Sequence, residues 1–388
     1  MAGSVLFGIP VTDPRSTGDM RPLVGGSGIL TGCRVVTLSM SARLLLGGQL
    51  RGLKEIRWSL VSGDGYADAP PDLTVHHVPM RRELGLSDLR SILELYRFFR
   101  AHRFSFVQTH TQKASLLGLP AARCAGLPTL YTMHGCLYFK DNTVAQNAVA
   151  WVFERWCCAW AGKVLCQSRE DAATLPRARI CRSAKVVHIG NGIDLDRFSN
   201  VPLPAGEGAK PVVMMVSRLV AEKGCRDFFA VARALHAHAR FVHVGPTETD
   251  QRDAIPAAEI EDLSRTGVVE FRGAVDDVAA HLAEADVTLL PSYREGIPRV
   301  AMEAAAMGRA VAGYDVRGMR EVIPPHLGLL VRRRDIPRLT EVVRRLVDDR
   351  EHRETLGHAC RQWVASNFSE DAVLGRLRAV YADFEPVR

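Results

Sequence analysis

The sequence predicts an α/β protein made of two Rossmann-like, doubly wound parallel-sheet domains facing a cleft. Three observations lead there. The 388 residues are more than one compact core serves. Short β-branched runs alternate with amphipathic helical patterns in both halves. Pro and Gly gather, and hydrophobic periodicity stops, in "RFSNVPLPAGEGAKP", Arg197 to Pro211. The expected organisation is a loose lead over residues 1–30, a first domain over 31–200 and a second over 201–388.

In chain order, the β-branched runs place strands at Arg34–Leu38, Trp58–Ser62, Val75–Val78, Phe106–Thr109, Thr129–Met133, Val164–Gln167 and Val186–Ile189. Between them lie segments such as "SDLRSILELYRFFRAH", where Leu89, Ile92, Leu93, Tyr96 and Phe99 follow helical spacing. The second half repeats the pattern, with strands at Val212–Val216, Phe241–Val244, Val268–Phe271, Val287–Leu290, Ala310–Gly313 and Leu329–Val331. The terminal "EDAVLGRLRAVYADFE" reads as a further amphipathic helix, with the first domain as a candidate packing partner.

Composition excludes several classes. With 47% apolar and 24% charged residues the chain is neither disordered nor fibrous. Nine cysteines without a C-x-x-C pair argue against a disulfide framework or a zinc site and suit a reducing cytoplasm. No apolar run reaches the ~18 residues of a membrane-spanning helix, and no secretory leader is expected. Charge is uneven: residues 1–200 hold 24 Lys and Arg against 15 Asp and Glu, the remainder 26 against 28. A basic first half suits an anionic partner such as a lipid surface, a phosphorylated acceptor or nucleic acid, or else is a solvated face.

Two constellations carry chemistry. In "PSYREGIPRVAMEAAAMGRAV", a buried strand ends at Pro291 and a helix opens around Pro298, ending before Gly308. The helix start suits an anion. Glu295 lies on the loop and Glu303 inside the helix, so the two carboxylates face different parts of one elongated ligand. Glu303 also has a purely structural reading, an i,i+4 pair with Arg299 worth roughly 0.2–0.5 kcal/mol. In "VMMVSRLVAEKGCRDFF", Arg218 and Lys223 lie past a strand's carboxyl end, where two cations neutralise a diphosphate or form a solvated basic turn.

These motifs, with "FRGAVDDV" and "GNGIDLDRF", resemble the retaining, nucleotide-sugar-dependent glycosyltransferases of family 4, over roughly residues 34–385. "THTQKASLLGLPAARCAGLPTLYTMHG" and "QSREDAATL" resemble bacterial members that assemble surface polysaccharide (O-antigen, capsule or exopolysaccharide) on a polyprenyl carrier. The resemblance implies the GT-B fold and a set of roles. Arg218 and Lys223 would hold the donor diphosphate, and Gly296, Ile297 and Pro298 would bring backbone N–H groups to sugar or phosphate. Glu295 would take the sugar hydroxyls and Glu303 the ribose, with Arg272 to Val275 near the base. His134, at the end of "TLYTM", would point at the reacting sugar; a His at a strand end is otherwise an ordinary structural residue.

The sequence departs from the family in its first loop, where Ser39, Met40 and Ser41 stand in place of a Gly-Gly pair, and Gly47–Gly48 fall inside a helix pattern. "DLD", Asp194 to Asp196, mimics a metal-binding motif of another glycosyltransferase fold, but sits in a connecting loop. The helix "VAQNAVAWVFERWCCAWAG" reads as core or, with "MRRELG" and "PRARICRSAK", as a rest on an anionic bilayer. The expected function is a metal-independent retaining transferase moving a sugar from a nucleotide sugar, a UDP-sugar above others, to a polyprenyl-linked saccharide. No cofactor and no nucleic acid are expected, and the location is the cytoplasm or the inner membrane surface. A nucleotide-sugar epimerase or phosphorylase and a non-catalytic glycan-binding subunit are the alternatives.

Overall fold

The computed structural model describes residues 29–66, 69–81, 85–139, 142–203, 210–248, 251 and 253–387. The expected lead therefore lies almost wholly outside the described residues, as does 204–209 of the Pro- and Gly-rich connection. Each strand read from the β-branched runs is present, with ends displaced by a few residues.

The first domain runs β1 (Leu30–Val36), α1 (Ser39–Gly52), β2 (Ile56–Ser62), β3 (Thr74–His77), α2 (Ser87–Ala101), β4 (Phe106–Thr109), α3 (Gln112–Cys124), β5 (Thr129–Met133), α4 (Val144–Trp160), β6 (Lys163–Cys166), α5 (Arg169–Arg177) and β7 (Val186–His188). The sheet order is β3-β2-β1-β4-β5-β6-β7, with parallel pairing throughout. Right-handed crossovers then put α1 on one face and α2 to α5 on the other. β1 starts earlier than its apolar run because Gly32 belongs to it: a Cβ there would lie 2.4 Å from the Trp58 ring, so glycine lets that ring cross the strand.

The second domain runs β8 (Val212–Val216), α6 (Cys225–Leu235), β9 (Arg240–Val244), α7 (Ala257–Arg265), β10 (Glu270–Phe271), α8 (Val278–Glu284), β11 (Val287–Leu290), α9 (Arg299–Ala306), β12 (Ala310–Tyr314), α10 (Met319–Val322), β13 (Leu330–Val331), α11 (Ile336–Asp348), α12 (Arg350–Asn367) and α13 (Glu370–Tyr381). Its sheet order is β10-β9-β8-β11-β12-β13, also parallel. Strands buried on both faces read as continuous apolar runs, and "VVMMV" is buried at each of its positions.

The last helix does not stay with the second domain. Val373, Leu374, Leu377 and Val380 of α13 pack with Trp58, Phe106 and Leu130 on the α1 face of the first sheet. Tyr381 stacks on Phe106 with ring centroids 4.7 Å apart, and its hydroxyl donates to Gln108 Oε1 at 2.6 Å. Strand order reverses between β1 and β4 in one sheet and between β8 and β11 in the other. Open α/β sheets bind ligands at such points, past the carboxyl ends of the strands.

Candidate active site

Parallel strands end in a row, so residues just past adjacent strands become neighbours whatever their distance along the chain. β4, β5 and β6 lie side by side and are followed by His110, His134 and Gln167. His134 Nδ1 donates to Gln167 Oε1 at 3.0 Å, and its Nε2 is 3.4 Å from His110 Nδ1. Burial brings the His134 imidazole down to about 4; the positive charges of Arg299 and Arg34 add to this and the Gln167 bond opposes it. Burial pushes His110 in the same direction, helped by Arg34 and His134. Both rings are neutral at neutral pH.

Buried acids hold down the loop that follows His134. Glu154 of α4 accepts from Leu137 N at 3.0 Å and from the Tyr131 hydroxyl at 3.1 Å, and burial raises its carboxyl to about 7. Asp171 of α5 accepts from Cys136 N at 3.0 Å. From the second domain, Arg317 donates to the carbonyls of Cys136 and Tyr138 and comes within 3.1 Å of Asp171 Oδ1. Glu321 accepts from Ser168 Oγ and from the N–H groups of Arg169 and Glu170, at 2.9 and 3.1 Å for the last two. A carboxylate of one domain thus caps a helix of the other, where the helix dipole favours it.

In the second domain β8 and β11 are neighbours at the point of reversal. Gly224, the N-cap of α6, has φ 72°, and a Cβ there would lie 1.9 Å from Pro291 O, so glycine alone lets the loop after β8 rest on the end of β11. Tyr293 N donates to Glu222 O at 2.9 Å and ties the two loops. As a result Lys223 Nζ lies 2.7 Å from Glu295 Oε1. Arg218 belongs to the same loop, but its half-exposed guanidinium turns to Glu248 beyond β9, Nη1 to Oε1 3.8 Å.

Gly296 brings the two lobes into contact. A Cβ on it would lie 2.2 Å from His134 O, and a Cβ on Gly318 would lie 1.3 Å from Gly296 O, so the backbone is held from both sides. Ile297 and Pro298 are buried. Pro298 is the N-cap of α9, just ahead of the first turn rather than in it, and no side chain caps that end. The first N–H groups of a helix have no partner within it.

A cavity of about 620 Å³ lies between the domains, bordered by Arg51 of α1, Asp194 of the connection, Val275, Arg299 and Glu303 of the second domain and Glu370 of α13. Glu303 is 8% exposed and pairs with Arg299 at 3.5 Å, so the structural ion pair and the cleft position hold together. Burial raises its carboxyl, against the pull of Arg299 and Arg197. Val275 reaches the cavity, whereas the Arg272 guanidinium is tied to Glu270 at 2.8 Å, Glu284 at 2.7 Å and His281 Nδ1 at 2.9 Å, against α8 and off the cavity wall.

The cavity also explains two features of the sequence. Gly47 and Gly48 lie inside α1, and a Cβ on Gly48 would meet the Glu370 carboxylate, so glycine makes room for the start of α13. Asp194 Oδ1 accepts from Asp196 N at 3.1 Å and Arg197 N at 3.0 Å, which is the work of a turn residue. Arg317 and Glu321 had no motif to announce them; the one signal was the density of charge in "YDVRGMREV" just past an apolar strand.

Residues 210–349 match the family described as glycosyl transferases group 1, and residues 32–192 match the glycosyl transferase 4-like domain. The capsular polysaccharide biosynthesis glycosyltransferase CapM of Staphylococcus aureus is 26% identical over 369 residues, 90% of this chain and 96% of its own. UDP-Gal:alpha-D-GlcNAc-diphosphoundecaprenol alpha-1,3-galactosyltransferase of Escherichia coli is 25% identical over 77% of this chain and 80% of its own. Among solved structures, Anabaena HepE in complex with UDP-glucose superposes with a TM-score of 0.76 at 17% identity, covering 91% of this chain and 100% of that one.

Proposed function

Since the chain belongs to the glycosyl transferases, group 1 in its second domain and 4-like in its first, we propose that it moves a sugar, with retention, from a UDP-sugar to a polyprenyl-linked saccharide in bacterial surface-polysaccharide assembly. The names of the Staphylococcus aureus and Escherichia coli relatives support the pathway class and the diphospho-lipid acceptor. The observation that supports the proposal is the meeting of Gly296 with the His134 carbonyl across the cleft, which brings the loop carrying Glu295, paired with Lys223, against the loop carrying His134.

Each group has capacity left for a donor. An ammonium has three N–H donors and Lys223 gives one to Glu295, which leaves two for a diphosphate. Glu295 keeps its second oxygen for sugar hydroxyls, and the neutral His134, whose Nδ1 donates to Gln167, accepts from a hydroxyl at Nε2 in exchange for its long contact with His110 Nδ1. Uncapped N–H groups of Gly296, Ile297 and the α9 start face the charge that grows on the diphosphate as the anomeric C–O bond breaks; each well-placed donor is worth roughly 10²–10³ in rate. Arg218 swings from its long, exposed contact with Glu248 to the same diphosphate. Glu303 takes the ribose hydroxyls and Val275 lies beside the base. Lys223, Arg218 and the helix end supply the positive charge, so no metal is assigned.

The test is a screen of UDP-sugars against polyprenyl-linked acceptors. Acceptor-dependent UDP release that collapses in Glu295→Ala and Arg218→Ala is the expected result. Glycan binding without turnover of any donor would instead assign the chain to a non-catalytic subunit.

A further inference from the structure

α4 is a helix with the wrong outside for water. Its inward side carries Glu154, Cys157 and Cys158, all buried. Its outward side carries Val149, Val152 and Trp156, exposed by 71%, 62% and 45%. Spacings of three and four residues put these on one stripe. In the same helical layer α2 exposes Leu89 and Leu93, and α3, buried along most of its length, lies between. Single exposed apolar residues are ordinary, but a stripe along a helix marks a surface with a partner.

The far end of α4 says which partner. There a second cavity of about 620 Å³ is lined by Arg155, Arg179, Arg182 and Lys185, with no carboxylate among its lining residues. Lys185 is spent on the carbonyls of Cys158 and Ala161, closing the last turn of α4. Arg155, Arg179 and Arg182 are exposed and have no ion pair among the described residues. Arg179 stands at φ 55°, a left-handed backbone that glycine adopts at lower cost, so the chain keeps a cation where the turn favours none. α4 has 17 residues, about 25 Å of helix, and this cavity sits at the end away from the His134 loop. It is therefore separate from the cleft between the domains.

The geometry points to a docking site for an anionic lipid bilayer: the Val149–Trp156 stripe enters the interface and Arg155, Arg179 and Arg182 close on a lipid headgroup phosphate. The site rests on the lipid-linked reading of the acceptor and names the surface that would bring the cleft to it. An apolar stripe flanked by unpaired cations is the pattern of an interfacial helix. Laid on the bilayer, α4 keeps its first turn, which carries the 88% exposed Val144, at the interface on the cleft side, within reach of a saccharide carried on lipid.

The experiment is co-sedimentation of the full chain with phosphatidylcholine vesicles, with and without phosphatidylglycerol. Binding should require phosphatidylglycerol and fall with salt. Each Lys or Arg near such a surface contributes about five-fold. Arg155→Ser/Arg179→Gly/Arg182→Ser should thus lose roughly 100-fold in affinity, the corresponding triple Lys variant should keep it, and Val152→Asp/Trp156→Gln should abolish it. All variants should keep the wild-type circular dichroism and donor turnover with a short soluble acceptor. Equal binding to uncharged vesicles, full binding by the Ser/Gly/Ser variant, or release by millimolar glycerol phosphate would overturn the site, the last by showing that it holds free phosphate. A dimer in vesicle-free light scattering that Trp156→Gln converts to monomer would overturn it as well, because the stripe would then be an interface between copies. Pocket-dependent vesicle binding by a chain that turns over no donor would uphold the site and remove the transferase reading alone.

Discussion

Lys223 Nζ and Glu295 Oε1 lie 2.7 Å apart although 72 positions separate them, because adjacent parallel strands end beside one another and Gly224 lets one loop rest on the other. The side chains are 25% and 13% exposed, so the pair is neither a surface bridge nor a fully buried one. Removing one partner should cost roughly 1–2 kcal/mol in stability, between the surface and buried limits. Glu295→Ala and Lys223→Ala should each lower kcat/KM for the donor by 100-fold or more. The double variant should fall by much less than the product, since each single change also strands the other charge. Kinetics and denaturant melts of the four proteins measure both couplings.

Gly296→Ala is the smallest change that separates the lobes. Its Cβ would lie 2.2 Å from His134 O, and Gly318 behind it bars retreat. The loop must shift by the better part of an ångström, and misplacements of that size cost about 100-fold in rate. The expected outcome is a fall in kcat of that order with KM for the donor changed little. Equal activity in the variant would show that the lobes do not meet there during turnover.

Stability should depend on pH through groups with opposite signs. Burial lowers His134, His188 and His243 to about 4, below the unfolded value near 6.5. Between those values the unfolded chain binds protons that the native chain refuses, so stability falls as pH drops from 6.5 towards 4. Glu154 runs the other way: burial raises it to about 7, so its contribution is complete below pH 4.5 and is lost as pH rises through 7. Thermal melts from pH 4 to 9 should show a maximum in the middle of that range, and Glu154→Gln should flatten the alkaline side. The kcat profile should show no break near pH 6.5, because His134 is already neutral there.

How much of this was legible beforehand follows from distance along the chain. Val212–Val216 and Val287–Leu290 were read to the residue because strands covered on both faces have no reason to alternate. The start of β1 was hidden by Gly32, a residue poor in strands, whose reason for being there is the Trp58 ring on the next strand. The Lys223 and Glu295 loops could be found because each is a short local motif at a strand end. Arg317 could not, since its partners Asp171 and the Cys136 carbonyl lie in the other domain and no local pattern encodes a docking of lobes. The family resemblance puts the segment Arg272 to Val275 near the base, while Glu270 and Glu284 decide where the Arg272 side chain goes.

The C-terminal helix makes the sharpest stability prediction, because it belongs to the second domain by sequence and to the first by packing. Tyr381 is fully buried, stacks on Phe106, meets the Trp58 ring edge at 5.8 Å and donates to Gln108. Tyr381→Ala removes a large ring from that core and leaves Gln108 Oε1 without its donor, so a loss of about 3–5 kcal/mol is expected. Tyr381→Phe keeps the ring and should cost only about 1–2 kcal/mol. The damage should fall on the first domain, although the mutation is 7 residues from the chain's end. Hydrogen exchange should therefore show faster exchange in β1, β2 and β4 with β8 and β11 unchanged, and UDP binding to the second domain should survive. Loss of protection in β8 and β11 instead would place the anchoring of α13 on the wrong domain.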